Sequence, residues 1–324
     1  FQLSILFLSN LHTVIILFWI QTQLPSLPYN EVLASSLSKI VNILTLKDIF
    51  GYENSNQATT IALFVVITIY FLITFTVLGL SLLAHHLKDK AMKKFSSVLV
   101  YLGQAQIALG FWVINSFLMQ YISAGYSEED LDIKNALQGI ACVLIMFNYL
   151  VTFFFAAFSY DPFLSSNILS AHSPVPQILD ILFKAVAAPL MFFFQNDGNL
   201  VENWLLVLAA ASVMVGKCYF LIDRFPYYNY KALKISIIYS TVAGLISAIN
   251  LIVQFIEIKE SVSLVNILYI QTLLVPIVVK FCYGYWKREL LHYISLPEEN
   301  IQNPKEALKK LFALLFLFKH TKFT

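Results

Sequence analysis

Long apolar runs dominate the sequence, and short polar segments separate them. A helix needs about 20 apolar residues to cross a hydrocarbon core of about 30 Å. Backbone groups in lipid must be hydrogen-bonded internally, and the alternation typical of barrel strands is absent, so the runs predict helices. We predict an all-α fold, a polytopic transmembrane helical bundle over 1–296. Eight spans are expected, at about 2–22, 60–84, 96–122, 136–158, 177–195, 201–222, 235–256 and 263–286.

Two further segments have helical character without the length or apolarity of a span. Apolar residues recur every three or four positions over 31–50, with Ser and Lys between them. This period predicts an amphipathic helix on the outer surface, or one packed on the bundle. Residues 297–324 predict a C-terminal interfacial helix that leads to a further cytoplasmic region, with Pro304 at its first position behind the cap Asn303.

Composition agrees with lipid as the natural solvent of this chain. Hydrophobic residues make up 59% of it and charged residues 12%, whereas a soluble domain is about one quarter charged. Cys142, Cys218 and Cys282 lie in or at the end of apolar runs. We expect them to be small buried side chains and not disulfide partners or metal ligands.

The connectors between spans alternate in charge. The segment after the second span is basic ("HHLKDKAMKK"), and the one after the third is acidic ("SEEDLD"). Basic residues return after the sixth span and at the end of the eighth. Because Lys and Arg are enriched in cytoplasmic loops, this alternation supports eight spans and predicts that both termini are cytoplasmic.

Asp180 and Lys184 form a candidate intramembrane charge pair in the fifth span. Their spacing of four places them on one helix face, with the acid nearer the helix N-terminus. The assigned topology puts Asp180 within about one turn of the cytoplasmic interface, and Lys184 can extend back toward it. We favour a pair that neutralises itself, and a gating or ion-path role is the alternative.

Two further lysines, Lys217 and Lys280, lie near predicted cytoplasmic ends of spans. A long lysine side chain can carry its ammonium group from the hydrocarbon core to the headgroups. Both are therefore candidate lipid-headgroup contacts, and the lysines of three spans at similar depth favour an anionic lipid or a cytoplasmic anion.

A stripe of small residues runs along the seventh span, at Ser236, Ser240, Gly244 and Ala248. Small residues every four positions let helix backbones approach closely, which predicts a helix-packing surface. We favour packing within the bundle, and a subunit interface is the alternative.

Polar side chains also occur in the third span, at Gln104, Gln106 and Asn115. Such residues face protein or water in a membrane protein. Hydrogen bonding between helices is the favoured interpretation, and a pore lining is the alternative.

The sequence offers no candidate catalytic nucleophile, base or metal site. His85 and His86 are adjacent, so their side chains point about 100° apart on a helix and do not suit one metal. We therefore expect a protein that is not an enzyme and has no cofactor. The expected partners are the lipid bilayer and other membrane chains or further copies of this one, with no nucleic acid.

Two connectors are more specific. "FSYDPFLSSNILSAHSPVPQILDILFK" and "LIDRFPYYNYKALKISIIYS", in this order around spans four to seven, resemble the amino-terminal membrane region of the TmcB-like proteins of ciliates. The tail "NPKEALKKLFALLFLFKH" resembles the helix through which that region continues into cytoplasmic sequence. The residues that match are Asp161, Pro162, Phe163, His172, Pro226, Tyr227, Tyr228 and Asn229.

The resemblance implies a long multi-pass protein, in many members with a PAS-type sensory domain beyond this region. It implies a sensory or channel-like subunit in the plasma or ciliary membrane, and it supplies no active site. A non-conducting scaffold, including an accessory subunit of the mitochondrial inner membrane, is the alternative. A transporter would need broken helices, for which Pro189 and Pro276 are the only evident breakers inside spans.

Overall fold

The computed structural model confirms that the chain is helical. It describes residues 2–22, 39, 57–87, 102–103, 105–123, 131–158, 171, 173–193, 200–255, 264–297 and 303–321. Among these residues the regular secondary structure is helical, and Ala171 and Tyr227 form an isolated antiparallel β-bridge. The helices are α1 Gln2–Thr22, α2 Gln57–Leu87, α3 Phe111–Ser123, α4 Leu131–Phe158, α5 Val175–Phe193, α6 Leu200–Arg224, α7 Tyr230–Phe255, α8 Leu264–Ser295 and α9 Pro304–Thr321.

Helices α1 to α8 follow the order of the eight predicted spans, but length and apolarity qualify fewer of them. In the described part of the chain, four segments are long and apolar enough to cross a membrane: Asn135–Ala156, Trp204–Arg224, Tyr230–Gln254 and Asn266–Ser295. Shorter apolar stretches, Leu6–Phe18 and Ile61–Thr76, lie within α1 and α2. The structure therefore supports a helical membrane protein with four candidate spans. The predicted helix over 31–50 lies outside the described residues, apart from Lys39.

The chain divides into two compact units. Unit 1 consists of 1–34, 160–183 and 200–324, and unit 2 of 35–159 and 184–199. In unit 1, α7 packs along α6 and also contacts α1 and α8, and α9 packs on α8. In unit 2, α3 packs on α4.

The connector 225–229 makes a tight turn between α6 and α7. Phe225 has a φ of 48°, in the left-handed region that commonly ends a helix, and Pro226 cannot continue the helical hydrogen bonding. The Oδ1 atom of Asn229 accepts hydrogen bonds from the backbone N–H groups of Lys231 (2.9 Å) and Ala232 (3.3 Å). Asn229 thus caps the N-terminus of α7.

A buried cluster rich in aromatic residues packs α9 against the other helices of unit 1. Its members come from the turn 225–229, from α6 to α8 and, through Phe312 and Ala313, from α9. Trp286 is fully buried here, and its ring contacts Phe225 edge to face at 6.4 Å between centroids. At the edge of the cluster, the Lys309 ammonium lies 2.7 Å from the Asp223 carboxylate. As predicted, α9 begins at Pro304.

Both units leave apolar side chains exposed along whole helices. On α8, Tyr269, Leu273, Ile277 and Phe281 recur every four residues and are each more than 60% exposed. In unit 2, α4 exposes Met146 and Leu150 in the same way. Contiguous apolar surface of this extent is tolerated in lipid but not in water, so it supports association with a membrane.

Candidate functional site

A buried ion pair lies in unit 1, where α1, α5 and α6 each contribute a polar side chain. The Lys217 ammonium donates to Oδ1 of Asp180 at 2.6 Å and to Oδ1 of Asn10 at 3.2 Å. Asn10 is held in this orientation because its Nδ2 donates to the Leu6 carbonyl at 2.8 Å. We call Asp180, Lys217 and Asn10 the ion-pair site.

The ion-pair site is almost closed to solvent. The side chains of Lys217 and Asp180 are 3% and 11% exposed, respectively. Removing two charges from water costs several kcal/mol per ion, and only close pairing and additional hydrogen bonds offset that cost. The amide oxygen of Asn10 supplies such a bond to Lys217, so the carboxylate and the amide share the ammonium between them.

The charge of the same carboxylate also affects the hydroxyl group of Tyr227 in the 225–229 turn. Its burial, together with the negative charge of Asp180, raises the pKa of the Tyr227 hydroxyl above its ordinary value. The phenol therefore stays protonated and neutral at physiological pH. Tyr227 therefore adds no charge beside the ion pair.

The sequence missed the partner of Asp180. The favoured candidate was Lys184, one turn further along α5, where the structure finds a buried side chain on the part of the helix that belongs to unit 2. The structure shows Lys217 as the ion-pair partner, and the pairing with Lys184 stays a prediction. The signal available in the sequence was that Lys217 lies at a similar predicted depth, but its separation of 37 residues hid the pairing.

The position of Lys217 argues against its predicted headgroup contact, which no observation tests directly. A lysine contacts headgroups when its side chain can extend to the membrane surface. The Lys217 ammonium is instead buried and bound inside unit 1. Lys280 differs, because it is exposed on α8. Its contact with headgroups stays a prediction.

The stripe on α7 faces the interior of unit 1. Ser236, Ser240 and Gly244 are buried, and Ala248 is half-buried. A Cβ atom added to Gly244 would lie 3.8 Å from the Met214 carbonyl oxygen of α6. At Gly244, then, the stripe lies against a helix of the same chain.

A second polar site, without charges, lies in unit 2 and centres on Gln106. Its Nε2 donates to Oδ1 of Asn148 at 2.5 Å and to Oγ1 of Thr152 at 3.0 Å, and its Oε1 accepts from the Tyr70 hydroxyl at 2.7 Å. The Nδ2 of Asn148 donates to Oδ1 of Asn115 at 3.0 Å. We call these five residues the amide network.

A π-helical turn, Gln106–Gly110, places Gln106 in this network. Such turns are rare and occur frequently at functional sites. The turn ends at Gly110. A side chain does not fit at this position, because a Cβ atom there would lie 2.5 Å from Oε1 of Gln106. The sequence placed Gln106 and Asn115 against protein or water, and the structure places both among hydrogen-bonding side chains. The side chain of Gln104 lies outside the described residues.

Comparison with known proteins gives no relative. No family model matches the chain, and neither a curated protein nor a solved structure matches it. The resemblance to the ciliate TmcB-like proteins therefore stays a hypothesis. Of the residues that carry it, Asp161, Pro162, Phe163 and His172 lie outside the described residues.

Metal and disulfide chemistry find no support in the described part of the chain. No group of three or more His, Cys, Asp or Glu side chains there is placed to hold a metal ion. The thiols of Cys142, Cys218 and Cys282 are unbridged.

One further contact in unit 2 compensates for a proline. Pro189 has no N–H, so the carbonyl of Ala185, four residues earlier in α5, loses its helical hydrogen bond. The Tyr149 hydroxyl donates to this carbonyl at 2.9 Å. In a membrane a freed carbonyl needs such a partner, because no water replaces the bond.

Proposed function

We propose that the chain is a multi-pass membrane subunit of a sensory or channel-like assembly. In this proposal α1 to α8 cross the bilayer and both termini are cytoplasmic, as the alternating charge of the connectors favours. The four candidate spans and the exposed apolar faces of both units support its membrane part. The resemblance favours the plasma or ciliary membrane, with the mitochondrial inner membrane as the alternative.

The ion-pair site carries the proposal. Apolar residues of similar volume would pack these helices at no electrostatic cost, and a buried ion pair is often less stabilising than such residues. Ionisable groups inside membrane proteins commonly mark ion paths, proton relays or gating elements. Because Asp180 and Lys217 come from different helices, separating α5 from α6 would break the pair and expose two charges.

The second candidate is a non-conducting structural subunit, and the amide network favours it. The third span was expected to line a wet path if the protein conducts. Instead Gln106 and Asn148 bind each other and their neighbours, without a charged group in the network. A structural subunit of a larger complex would need only this internal cohesion.

An ion-flux measurement distinguishes the two candidates. The purified chain is reconstituted into vesicles that contain a fluorescent reporter, and flux of K⁺, Na⁺ and Ca²⁺ is followed. The informative variant is Asp180→Leu with Lys217→Met, because it removes both charges and leaves neither ion unpaired. Unfolding of this variant in micelles checks that the protein still folds.

The channel-like function predicts a flux in the wild type that changes in rate or ion selectivity in the double variant. Absence of flux from folded, inserted wild-type protein contradicts conduction. Co-purification of the chain with a fixed set of other membrane proteins, without flux, would establish the structural alternative. A flux unaffected by the double variant would mean that the ion-pair site has no part in conduction.

A further inference from the structure

We propose that α7 and α8 together form a binding site for the phosphate of an anionic lipid headgroup. The site lies where α7 begins and α8 nears its end. It is formed by four exposed lysines, which we call the lysine seam: Lys231, Lys234, Lys280 and Lys287. Neither the ion-pair site nor the amide network includes any of them.

Two contacts show that the seam joins both helices. The Lys234 ammonium of α7 lies 5.3 Å from the ring centroid of Tyr283 in α8. The hydroxyl groups of Tyr230 and Tyr283 are 2.8 Å apart and hydrogen-bonded. The first turn of α7 is therefore in direct contact with α8 at Tyr283.

Helical spacing brings the other lysines to the same place. Lys231 lies three residues before Lys234 on α7, and Lys280 and Lys287 lie three residues before and four after Tyr283 on α8. Residues three or four apart share a helix face, so Lys280, Tyr283 and Lys287 fall within an arc of about 60°. Each of the four lysines thus lies within four residues of Tyr230 or Tyr283.

In the described part of the chain, no acid balances the charge of the seam. Among the described residues, none of the four ammonium groups forms an ion pair. The nearby carboxylate of Asp223 is bound by Lys309 at 2.7 Å and by Arg224 at 2.9 Å. Glu289 lies about 180° around α8 from Lys280. Uncompensated positive charge on adjacent helices is the electrostatic condition for binding a phosphate.

A rigid aromatic base supports the seam. The rings of Tyr230 and Tyr283 lie 5.5 and 5.3 Å from the ring of the fully buried Trp286. Tyrosine and tryptophan are enriched at the level of lipid headgroups, with an apolar body and a polar tip. Tyr283 is therefore fixed in position beneath the ammonium group of Lys234.

The surroundings favour a lipid over a soluble anion. Phe281, one residue after Lys280 on α8, and Ile277, three residues before it, are 75% and 63% exposed. They form an apolar surface that the acyl chains of a lipid can contact. A soluble phosphate ion would gain nothing from this surface. The charge pattern places this end of α7 and α8 on the cytoplasmic side, where the leaflet contains anionic lipids.

The inference shares with the proposed function only the requirement that α7 and α8 cross the bilayer. It does not require conduction. A chain without ion flux could still bind the lipid, and a conducting chain could lack the site, so the two proposals fail separately.

Competitive lipid binding to the full-length chain tests the inference. The purified protein in micelles is titrated with short-chain phosphatidylserine, with phosphatidylcholine as the neutral comparison, and the retained lipid is counted by native mass spectrometry. The test variant is Lys234→Gln with Lys287→Gln. The matched control is Lys39→Gln with Arg288→Gln, which removes two exposed positive charges outside the seam.

A basic residue that contacts the headgroup contributes about a five-fold gain in affinity for an anionic lipid. The test variant should therefore bind phosphatidylserine about 25-fold more weakly, while the control changes by less than about three-fold. Phosphatidylcholine binding should be the same in all three proteins.

Three results would overturn the inference. The first is unchanged phosphatidylserine binding in the test variant, and the second is an equal loss in the control. The third is displacement of the lipid by inorganic phosphate at the same concentration, which would make the seam a site for soluble anions. If the test variant does not fold, Lys231→Gln with Lys280→Gln is measured against the same criteria.

Discussion

The two polar sites of this protein both bury polar side chains between helices, but they use different chemistry to do so. Unit 1 places a carboxylate and an ammonium in its interior, 2.6 Å apart, with one amide oxygen beside them. Unit 2 uses the neutral side chains of Gln106 and Asn148, which bind each other and their neighbours. Both arrangements join helices through buried polar side chains.

The difference lies in what happens when one partner is lost. Removing one ion leaves an uncompensated buried charge, whose cost exceeds the benefit of the original pair. Removing one amide leaves neutral donors and acceptors, which find substitutes more easily, and measured hydrogen bonds in membrane proteins average about 0.6 kcal/mol. Loss of one partner therefore destabilises the ion-pair site more than the amide network. The ion-pair site is also better suited to a change between a paired and an unpaired state.

Asp180→Ala should have the largest effect on stability. It leaves the Lys217 ammonium buried without its carboxylate, so the free energy of unfolding should fall by about 3–5 kcal/mol. Equilibrium unfolding by SDS in mixed micelles measures the change. Asp180→Leu with Lys217→Met should recover most of the loss, because no charge remains to be buried. A single substitution that costs less than about 1 kcal/mol would show that the charges are not coupled.

Gln106→Leu should have an intermediate effect. It removes three hydrogen bonds, to Tyr70, Asn148 and Thr152, and at about 0.6 kcal/mol each the loss is about 2 kcal/mol. The matched control is Gln138→Leu on α4, a half-buried glutamine outside the network. Equal losses in the two variants, measured by the same SDS unfolding, would mean that the network adds nothing to stability.

The sequence predicted the helices well because their signal is local. Apolar runs of helical length marked α1 to α8 to within a few residues at most ends, and Pro304 marked the start of α9. The expected number of eight spans is not confirmed, since four helices among the described residues are long and apolar enough to cross a membrane.

The candidate sites were predicted less well because their partners are distant in sequence. Gln106 and Asn115 were recognised as inward-facing, but Asn148 and Thr152 on α4 were not recognised as their partners. Asp180 was assigned to Lys184 because spacing of four is visible along a chain, whereas contact with Lys217 depends on how α5 packs against α6. Periodicity shows which face of a helix is polar and does not show which helix it meets.

Tyr149→Phe should reduce the stability of unit 2 by about 1 kcal/mol, because it leaves the Ala185 carbonyl without a donor. The effect depends on Pro189, which removed the original donor. In a Pro189→Ala background the helical N–H is restored, and Tyr149→Phe should then cost almost nothing. A double-mutant cycle by SDS unfolding measures this coupling. Additive losses would show that the tyrosine does not compensate for the proline.

The ion pair between Lys309 and Asp223 is a partly exposed counterpart of the buried site, with side chains 15% and 28% exposed, and its loss should have the smallest effect. Burial lowers the pKa of Lys309, but its hydrogen bonds to Asp223 and Tyr293 outweigh burial and raise the pKa above its ordinary value. A raised pKa in the folded state means that the pair stabilises the protein below the ordinary lysine pKa of about 10.4 and that this contribution is lost as the pH rises through the folded-state value.

Lys309→Gln should therefore cost at most about 1 kcal/mol at pH 8, since Asp223 is 28% exposed and water screens the pair. The difference from the wild type should shrink as the pH rises through the folded-state pKa of Lys309, which lies above the ordinary lysine value. Lys287→Gln, at an exposed lysine that forms no ion pair with a described residue, is the control and should change the free energy of unfolding little at pH 8. A cost at pH 8 as large as that of Asp180→Ala would remove the distinction between the two ion pairs, because burial would then not determine how strongly each one holds its helices together.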